Sequence, residues 1–367
     1  MASAAQRRIK KVSYAKYGYL FILPFFIVYF IFTFWPLIQT FILSFYGNGT
    51  LAKAGYNAGF TKDDFVGLNN FKIILTNAKE SDYDSKTLLK FHTTMHEEFT
   101  RSLKNTVILW VGNFIPQLAL SLSLAVWFTD AKLRIPGKGF FKVVMYLPNV
   151  ITAASVAVMF YQILSDGNRP GALNSFLLQH NIIDEKILFI TGEWGGRASI
   201  WFIQTWMWFG NTMIMLMSGI LGINPSLFEA ASIDGASSGQ TFRKITLPLL
   251  TPIMSYTLIT SMIGGLQMFD IPFLLKSKTS PYEQEKHLTT VAVFIYKNYF
   301  RNVGDAENRN YGISGAASVT LFIITLCLGL IGLYISRDKD AIAKKKQIKK
   351  NAKQAKLKDK QFGGFSI

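Results

Sequence analysis

Two groups of residues in this sequence have types and spacing that could do chemistry, and neither is a catalytic set. The first is Glu229-Ala230-Ala231-Ser232-Ile233-Asp234-Gly235-Ala236. One carboxylate beside two residues of almost no bulk lets another surface approach closely, which is the chemistry of a protein contact. The second is an uncharged set: Trp206, Trp208, Asn211 and Thr212 before that loop, and Thr260, Ser261 and Gln267 after it, with Gly264-Gly265 permitting a bend or a close approach. Thr260, Gly264 and Gln267 are spaced i, i+4, i+7 and share one helical face, so they form a candidate wall of a path; Asn149 and Gln162 are weaker additions. Aromatic faces stack on, and amides and hydroxyls hydrogen-bond to, an uncharged hydroxylated solute. The plainer use of each such residue is to glue helices together, and tryptophans near helix ends mark the membrane interface.

Other chemistries lack their residues. Asp270 is the one acid inside an apolar segment, where it reads as a structural or gating hydrogen-bond acceptor, whereas proton-driven carriers and intramembrane enzymes need ionisable groups at depth. His92 and His96 stand i, i+4 beside Glu97 and Glu98, a zinc-compatible spacing without a further ligand, so an exposed helix face is expected and no metal site. No G-x-x-x-x-G-K-[ST] stretch occurs, so the chain is not expected to bind ATP in that manner, and any nucleotide energy must arrive from another protein. The single cysteine, Cys327, excludes an internal disulfide.

The elements that must position these residues are membrane spans. Of 367 residues, 50% are hydrophobic and 17% charged, and the mean hydropathy is +0.25, too apolar for an ordinary soluble domain. A bilayer core of about 30 Å needs roughly 20 apolar residues in a helix. Segments near 18–46, 103–128, 140–163, 200–222, 249–275 and 314–336 meet that length, so the expected fold is all-α, a polytopic membrane protein of six transmembrane helices. Kinks are expected at Pro24, Pro36, Pro116 and Pro148. The basic start runs into an apolar stretch too long for a cleavable signal, and the first span is expected to stay in the protein. A further interfacial helix is expected from Thr87 to Phe99, leading into the second span.

Charge gives the orientation. Residues 1–17, 129–142, 223–248 and 337–367 hold 22 of the 39 Lys and Arg but only Asp130, Glu229, Asp234, Asp338, Asp340 and Asp359 as acids; on the opposite side, 15 cations meet 15 acids. The positive-inside rule puts both termini in the cytoplasm of a multi-pass protein of the cell membrane. Residues 1–17 form a basic N-terminus, 18–336 the six-span domain and 337–367 a basic tail read as an orientation anchor, with binding of anionic headgroups as its alternative use. A net charge of +17 scattered over short flanks also excludes nucleic acid as a partner.

The loop between the fourth and fifth spans, 224–248, can be read locally. Asn224 is an N-cap and Pro225 suits the first helical position. Glu229 is expected near the positive end of that helix, and Gly235 takes the left-handed conformation that stops it. A second helix begins near Ser237 or Ser238, carries Phe242, Ile245 and Leu247, and is expected to end as Pro248 leads into the next span. Leu227, Phe228, Ile233 and Phe242 have little cytoplasmic chain to pack against, which favours docking to a partner over folding back on the bundle.

At this point a resemblance enters. Glu229 to Ala236, followed by Phe242-Arg243-Lys244-Ile245-Thr246-Leu247-Pro248-Leu249-Leu250, closely resembles the EAA loop of binding-protein-dependent ABC importer permeases. With the stretches Trp206 to Thr212, Leu266 to Asp270, Gly67 to Phe71 and Ser102 to Thr106, the chain is similar to the maltose-type carbohydrate uptake permeases over nearly everything but the tail. The resemblance implies a permease subunit with no enzymatic activity and no cofactor. It would form half of a path for a sugar or oligosaccharide, together with a second, homologous permease, a cytoplasmic ABC ATPase dimer and an extracellular solute-binding protein. It further implies that the coupling loop sits in a cleft of the ATPase, that Glu229 is the coupling contact, and that Gly235 makes the turn. Ala230, Ala231, Asp234 and Ala236 would then give the close-fitting surface. Trp206, Asn211, Thr212, Thr260, Gly264, Gln267 and Asp270 are the path residues this reading selects. A permease for a non-sugar solute is the neighbouring alternative. An autonomous secondary transporter would be expected to show repeated halves, and none is seen.

Overall fold

Prolines write two of the irregularities in this all-α chain. Pro36 and Pro248 have no N–H to give to the carbonyl four residues back, and each is preceded by a π turn, Phe30–Phe34 and Phe242–Thr246. In both, the residue before the proline donates to a carbonyl five residues back, Trp35 to Phe30 and Leu247 to Phe242, so the chain passes the proline without leaving the helix.

The computed structural model describes residues 15–47, 65–78, 86–130, 133, 135–275, 286–300, 310–335, 347 and 351. The basic start and nearly all of the 337–367 tail lie outside them. In chain order the helices are α1 (Ala15–Tyr29), α2 (Trp35–Leu43), α3 (Asn69–Leu75), α4 (Lys86–Thr129), α5 (Lys138–Tyr146), α6 (Ala153–Leu164), α7 (Ala172–Gln179) and α8 (Glu193–Leu221). They continue with α9 (Pro225–Ile233), α10 (Ser238–Thr241), α11 (Leu247–Leu266), α12 (Asp270–Leu274), α13 (Val291–Phe300) and α14 (Tyr311–Ile335). Among the described residues, four helical stretches are long and apolar enough to cross a membrane, and up to six if each of two bent pairs counts as one span.

The third expected span is the largest departure. A one-turn 3-10 helix, Leu147–Val150, follows α5, and the chain then breaks and turns by 94° into α6. Pro148 was expected to kink a continuous helix; instead Ile151 is extended and Thr152 caps a new helix by accepting from the Ser155 N–H. The segment from Thr87 to Phe99 is no separate interfacial helix, because α4 runs through it as 44 continuous residues. The fifth span stops at Leu266, three residues pass without helix, and α12 begins at Asp270. Helices α7 and α13 fall in stretches read as connections.

The chain divides into two compact units, Met1–Phe99 with Ile295–Thr320, and Thr100–Phe294 with Leu321–Ile367. In the first, the buried amide of Asn70 donates to the Ser44 and Tyr46 carbonyls at 3.0 and 2.9 Å. The imidazoles of His92 and His96 lie 2.8 and 3.0 Å from the carbonyls of Thr76 and Ile74, where α3 ends. Those histidines therefore serve helix-end carbonyls left without an intrahelical donor. Their i, i+4 spacing serves that job and not the exposed helix face expected of it, since His92 is buried and His96 half-buried; among the described residues no cluster of metal ligands forms.

The second unit holds the larger core. Leu109, Phe160, Ile200, Ile203, Met207 and Ile271 pack in one cluster, and Leu124, Phe128, Phe209, Met213, Leu216 and Leu250 in another. Both line α8, which is therefore the axis of this unit. The backbone at Met145 and Tyr146 lies so close to Gly210 that no Cβ would fit there, and this contact fixes the end of α5 against α8.

Candidate functional site

A cavity of about 590 Å³ opens within the second unit, walled by α4, the α5–α6 break, α8, α11 and the start of α12. Its side chains are mostly neutral hydrogen-bonding groups: the amides of Asn113, Gln117, Asn149, Gln204, Asn211 and Gln267, and the hydroxyls of Thr212, Tyr256, Thr257, Thr260 and Ser261. Trp110, Trp208 and Phe269 add aromatic faces. Among the described residues of the lining, Asp270 is the only acid and there is no Lys, Arg or His.

Several of these groups are held in place by one another. Gln117 Nε2 donates to Thr212 Oγ1 at 2.8 Å, and Ser121, one turn further along α4, donates to the Phe209 carbonyl at 2.8 Å. Trp208 Nε1 donates to Gln204 Oε1 at 3.1 Å. Trp110 Nε1 donates to Ser261 Oγ at 3.2 Å, its ring stacks on Phe114 at 5.9 Å, and Gly265 lies directly against the indole. Gly265 has no side chain because the indole occupies that space, whereas Gly264 faces open space. The fixed donors orient the wall, while Asn211, Gln267 and Asp270 are exposed along it.

Asn211, Thr212, Thr260, Gly264, Gln267 and Asp270, singled out from sequence, all line this cavity, as do Trp208, Ser261 and Asn149. Two others do not. Trp206 turns the other way, its ring edge-on to Phe160 at 5.5 Å in the core, and Gln162 is exposed away from the lining. The face contributed by α4 was missed, although Trp110, Asn113 and Gln117 are spaced i, i+3, i+7, and two amides on one face of an apolar helix are a readable signal.

The loop at the far end of α8 is built by its caps. Asn224 Oδ1 accepts from the Ser226 N–H at 3.1 Å, and Pro225 takes the first helical position of α9. At the other end, Gly235 adopts φ +70°, its N–H reaches the Ser232 carbonyl at 3.3 Å, and the Ala236 N–H reaches the Ala231 carbonyl at 2.9 Å. That pair of bonds is the Schellman ending, which requires a residue at ease in the left-handed region. Ser237 and Gln240 then form a reciprocal capping box that starts α10.

In contrast to the expected stop at Pro248, the helix runs from Ser238 through the π turn and α11 to Leu266, because the π turn absorbs the missing proline bond. Glu229 stands five residues into α9, past its first turn, and is exposed. Ala230, Asp234 and Gly235 are exposed too, and Ile233 keeps 86% of its surface open, whereas Ala231 is buried and Ala236 half-buried against the chain itself. A second cavity of about 380 Å³ lies at the root of this loop, with Phe228, Glu229 and Phe242 among its walls.

The model of a family described as binding-protein-dependent transport system inner membrane component matches residues 107–339. The lactose transport system permease protein LacF of Rhizobium radiobacter is 26% identical over 340 residues, 92% of this chain and 100% of that protein. The arabinooligosaccharides transport system permease protein AraP of Bacillus subtilis is 28% identical over 339 residues, 91% of this chain and 94% of that one. Among solved structures, a chain of a bacterial ABC transporter involved in importing the acidic polysaccharide alginate superposes with a TM-score of 0.66 at 22% identity, covering 87% of this chain and 94% of that chain, a likeness of fold.

Proposed function

Since the chain belongs to the family of binding-protein-dependent transport system inner membrane components, and is a non-catalytic permease subunit of an ABC importer, we propose that it forms half of the path for a sugar or oligosaccharide and takes its drive from a separate ATPase seated on α9. The observation that carries this reading is the described cavity lining, with six amides, five hydroxyls, four aromatic rings (one of them the Tyr256 phenol), a single carboxylate and no cation. A sugar offers many hydroxyls that both donate and accept, which amides and hydroxyls answer in either direction, and its apolar ring faces stack on aromatic rings. The relatives named for lactose and arabinooligosaccharides point to the same class. A phosphate, or the carboxylate of an amino acid, would call for fixed positive charge, and the described lining has none.

Orientation follows from the same reading: the loop between α8 and α11 faces the cytoplasm with the excess Lys and Arg, and both termini lie on that side. Glu229 is the coupling contact on α9, with Ala230 and Asp234 exposed beside it and Gly235 holding the turn. A rigid helix clasped at both ends can transmit closure of the ATPases to the spans, provided nucleotide favours one arrangement of the bundle by its differential contacts.

The test is Glu229→Lys in the full complex, reconstituted with the second permease, the ATPases and the solute-binding protein. Sugar-stimulated ATP hydrolysis is expected to fall by about tenfold or more, the size of an ordinary coupling free energy. Undiminished stimulation removes the coupling role.

A further inference from the structure

The cavity wall gives way between the end of α11 at Leu266 and the start of α12 at Asp270. In a helix continued through this break, the Met268 carbonyl would accept from the N–H of residue 272, and residue 272 is a buried proline. The donor comes from elsewhere. Thr290 Oγ1, fully buried, donates to that carbonyl at 2.7 Å across 22 residues of chain. The same oxygen accepts from the Val293 N–H at 3.3 Å and so caps the first turn of α13. Gln267 and Asp270, on either side of this joint, are exposed along the cavity, whereas Met268 keeps 7% of its surface open.

Thr290 is itself held from behind. Asn105 Nδ2 donates to the carbonyls of Lys286 and Thr289 at 2.6 and 3.1 Å, and Thr106 Oγ1 accepts from the Val291 N–H at 3.0 Å. Arg197 Nη2 donates to Asn105 Oδ1 at 3.3 Å, which ties α8 into the same set. Residues 286–291 are thus bound to α4 on one side and reach the break through the Thr290 hydroxyl on the other. Leaving a buried carbonyl without a donor costs more than an ordinary bond contributes, so this hydroxyl decides where the Met268 carbonyl can rest.

We propose that Thr290 is a positioning residue for the cavity wall: its hydroxyl replaces the N–H that Pro272 lacks and holds the break so that Gln267 and Asp270 face the cargo. The proposal rests on the reading of this cavity as the path. It gives the segment 286–291, which lies outside the lining, a part in setting what the cargo meets.

The experiment places Met268→Cys or Met207→Cys in a Cys327→Ser background, in the full complex in membrane vesicles. The two positions make a matched pair, since both methionines line the cavity and both keep 7% of their surface open, but Met207 stands on α8, away from the break. The probe is methyl methanethiosulfonate, and the rate at which it labels this chain is read by mass spectrometry. Thr290→Val, which keeps the shape and removes the hydroxyl, is expected to speed labelling at 268 by about tenfold and to leave 207 unchanged, whereas Thr290→Ser keeps the slow rate. Adding Pro272→Ala to Thr290→Val returns an N–H to the Met268 carbonyl. The double variant is expected to recover the slow rate, and to recover assembly where Thr290→Val alone fails to assemble. An unchanged rate at 268, an equal rise at both positions, a serine variant that behaves as the valine one, or a double variant no better than Thr290→Val overturns the proposal. These rates are read without cargo, so a complex that carries no sugar sinks the path reading and leaves the joint standing.

Discussion

Trp110 is the best-fixed aromatic in the cavity wall, and what fixes it is the absence of a side chain at Gly265. The indole has its N–H on Ser261, one face on Phe114 and its edge against the Gly265 backbone, so a methyl group at that position can enter only by displacing it. Gly265→Ala is therefore expected to cost about 1–3 kcal/mol, the usual penalty for overpacking a filled site. The purified complex should melt at a lower temperature, and Trp110→Phe, which removes the larger ring, should recover part of the loss in the double variant. If the two changes simply add, the contact between them is not the cause. Trp206 teaches the complementary point. It stands two residues from Trp208 on the same helix, and two residues turn a helix through about 200°, so only one of the two rings can face the cavity. Composition made both equal candidates; contact with Phe160 decides for Trp208.

At the scale of elements, the parts legible in the sequence were those whose cause is local. Asn224 and Pro225 start α9, and Gly235 stops it, because caps act over three or four residues. The apolar length of the spans was legible for the same reason. The break between α5 and α6 was not, since hydropathy reads composition and the turn there depends on packing of the α5 end against Gly210. The course of the chain past Pro248 was also misread: a proline ends a regular helix, but a π turn placed just before it lets the helix continue, and the price of that turn is a shift in register. This gives an element-scale prediction. Pro248→Ala restores the N–H and removes the reason for the π turn, so α10 should rotate relative to α11 and carry α9, the proposed coupling helix, with it. Uptake per ATP hydrolysed is expected to fall several-fold, while the complex still assembles. Unchanged uptake per ATP would mean that the π turn has no part in coupling.

At the scale of the molecule, the described residues form a cavity in the second unit and an exposed helix α9, and the sequence holds no G-x-x-x-x-G-K-[ST] stretch to cradle a phosphate. The most apolar stretch of the helical segment Tyr17–Leu43 has no buried side chains, as suits a helix whose neighbours are lipid or another subunit. To turn a bundle from 1:99 to 99:1 between two arrangements takes about 5.5 kcal/mol of differential binding. Neutral amides and hydroxyls touching a sugar in one cavity also touch it when the cavity opens to the other side, so cargo alone cannot provide a net direction. In the function proposed above, the direction enters through α9, from nucleotide bound by another polypeptide. The purified chain reconstituted alone in liposomes is thus expected to hydrolyse no ATP and to accumulate no sugar against a gradient, and both activities should appear together when the second permease, the ATPases and the binding protein are added. Uphill accumulation by the chain alone would make it an autonomous carrier and remove α9 from the mechanism; hydrolysis that appears without accumulation would leave α9 engaged and locate the defect in the cavity.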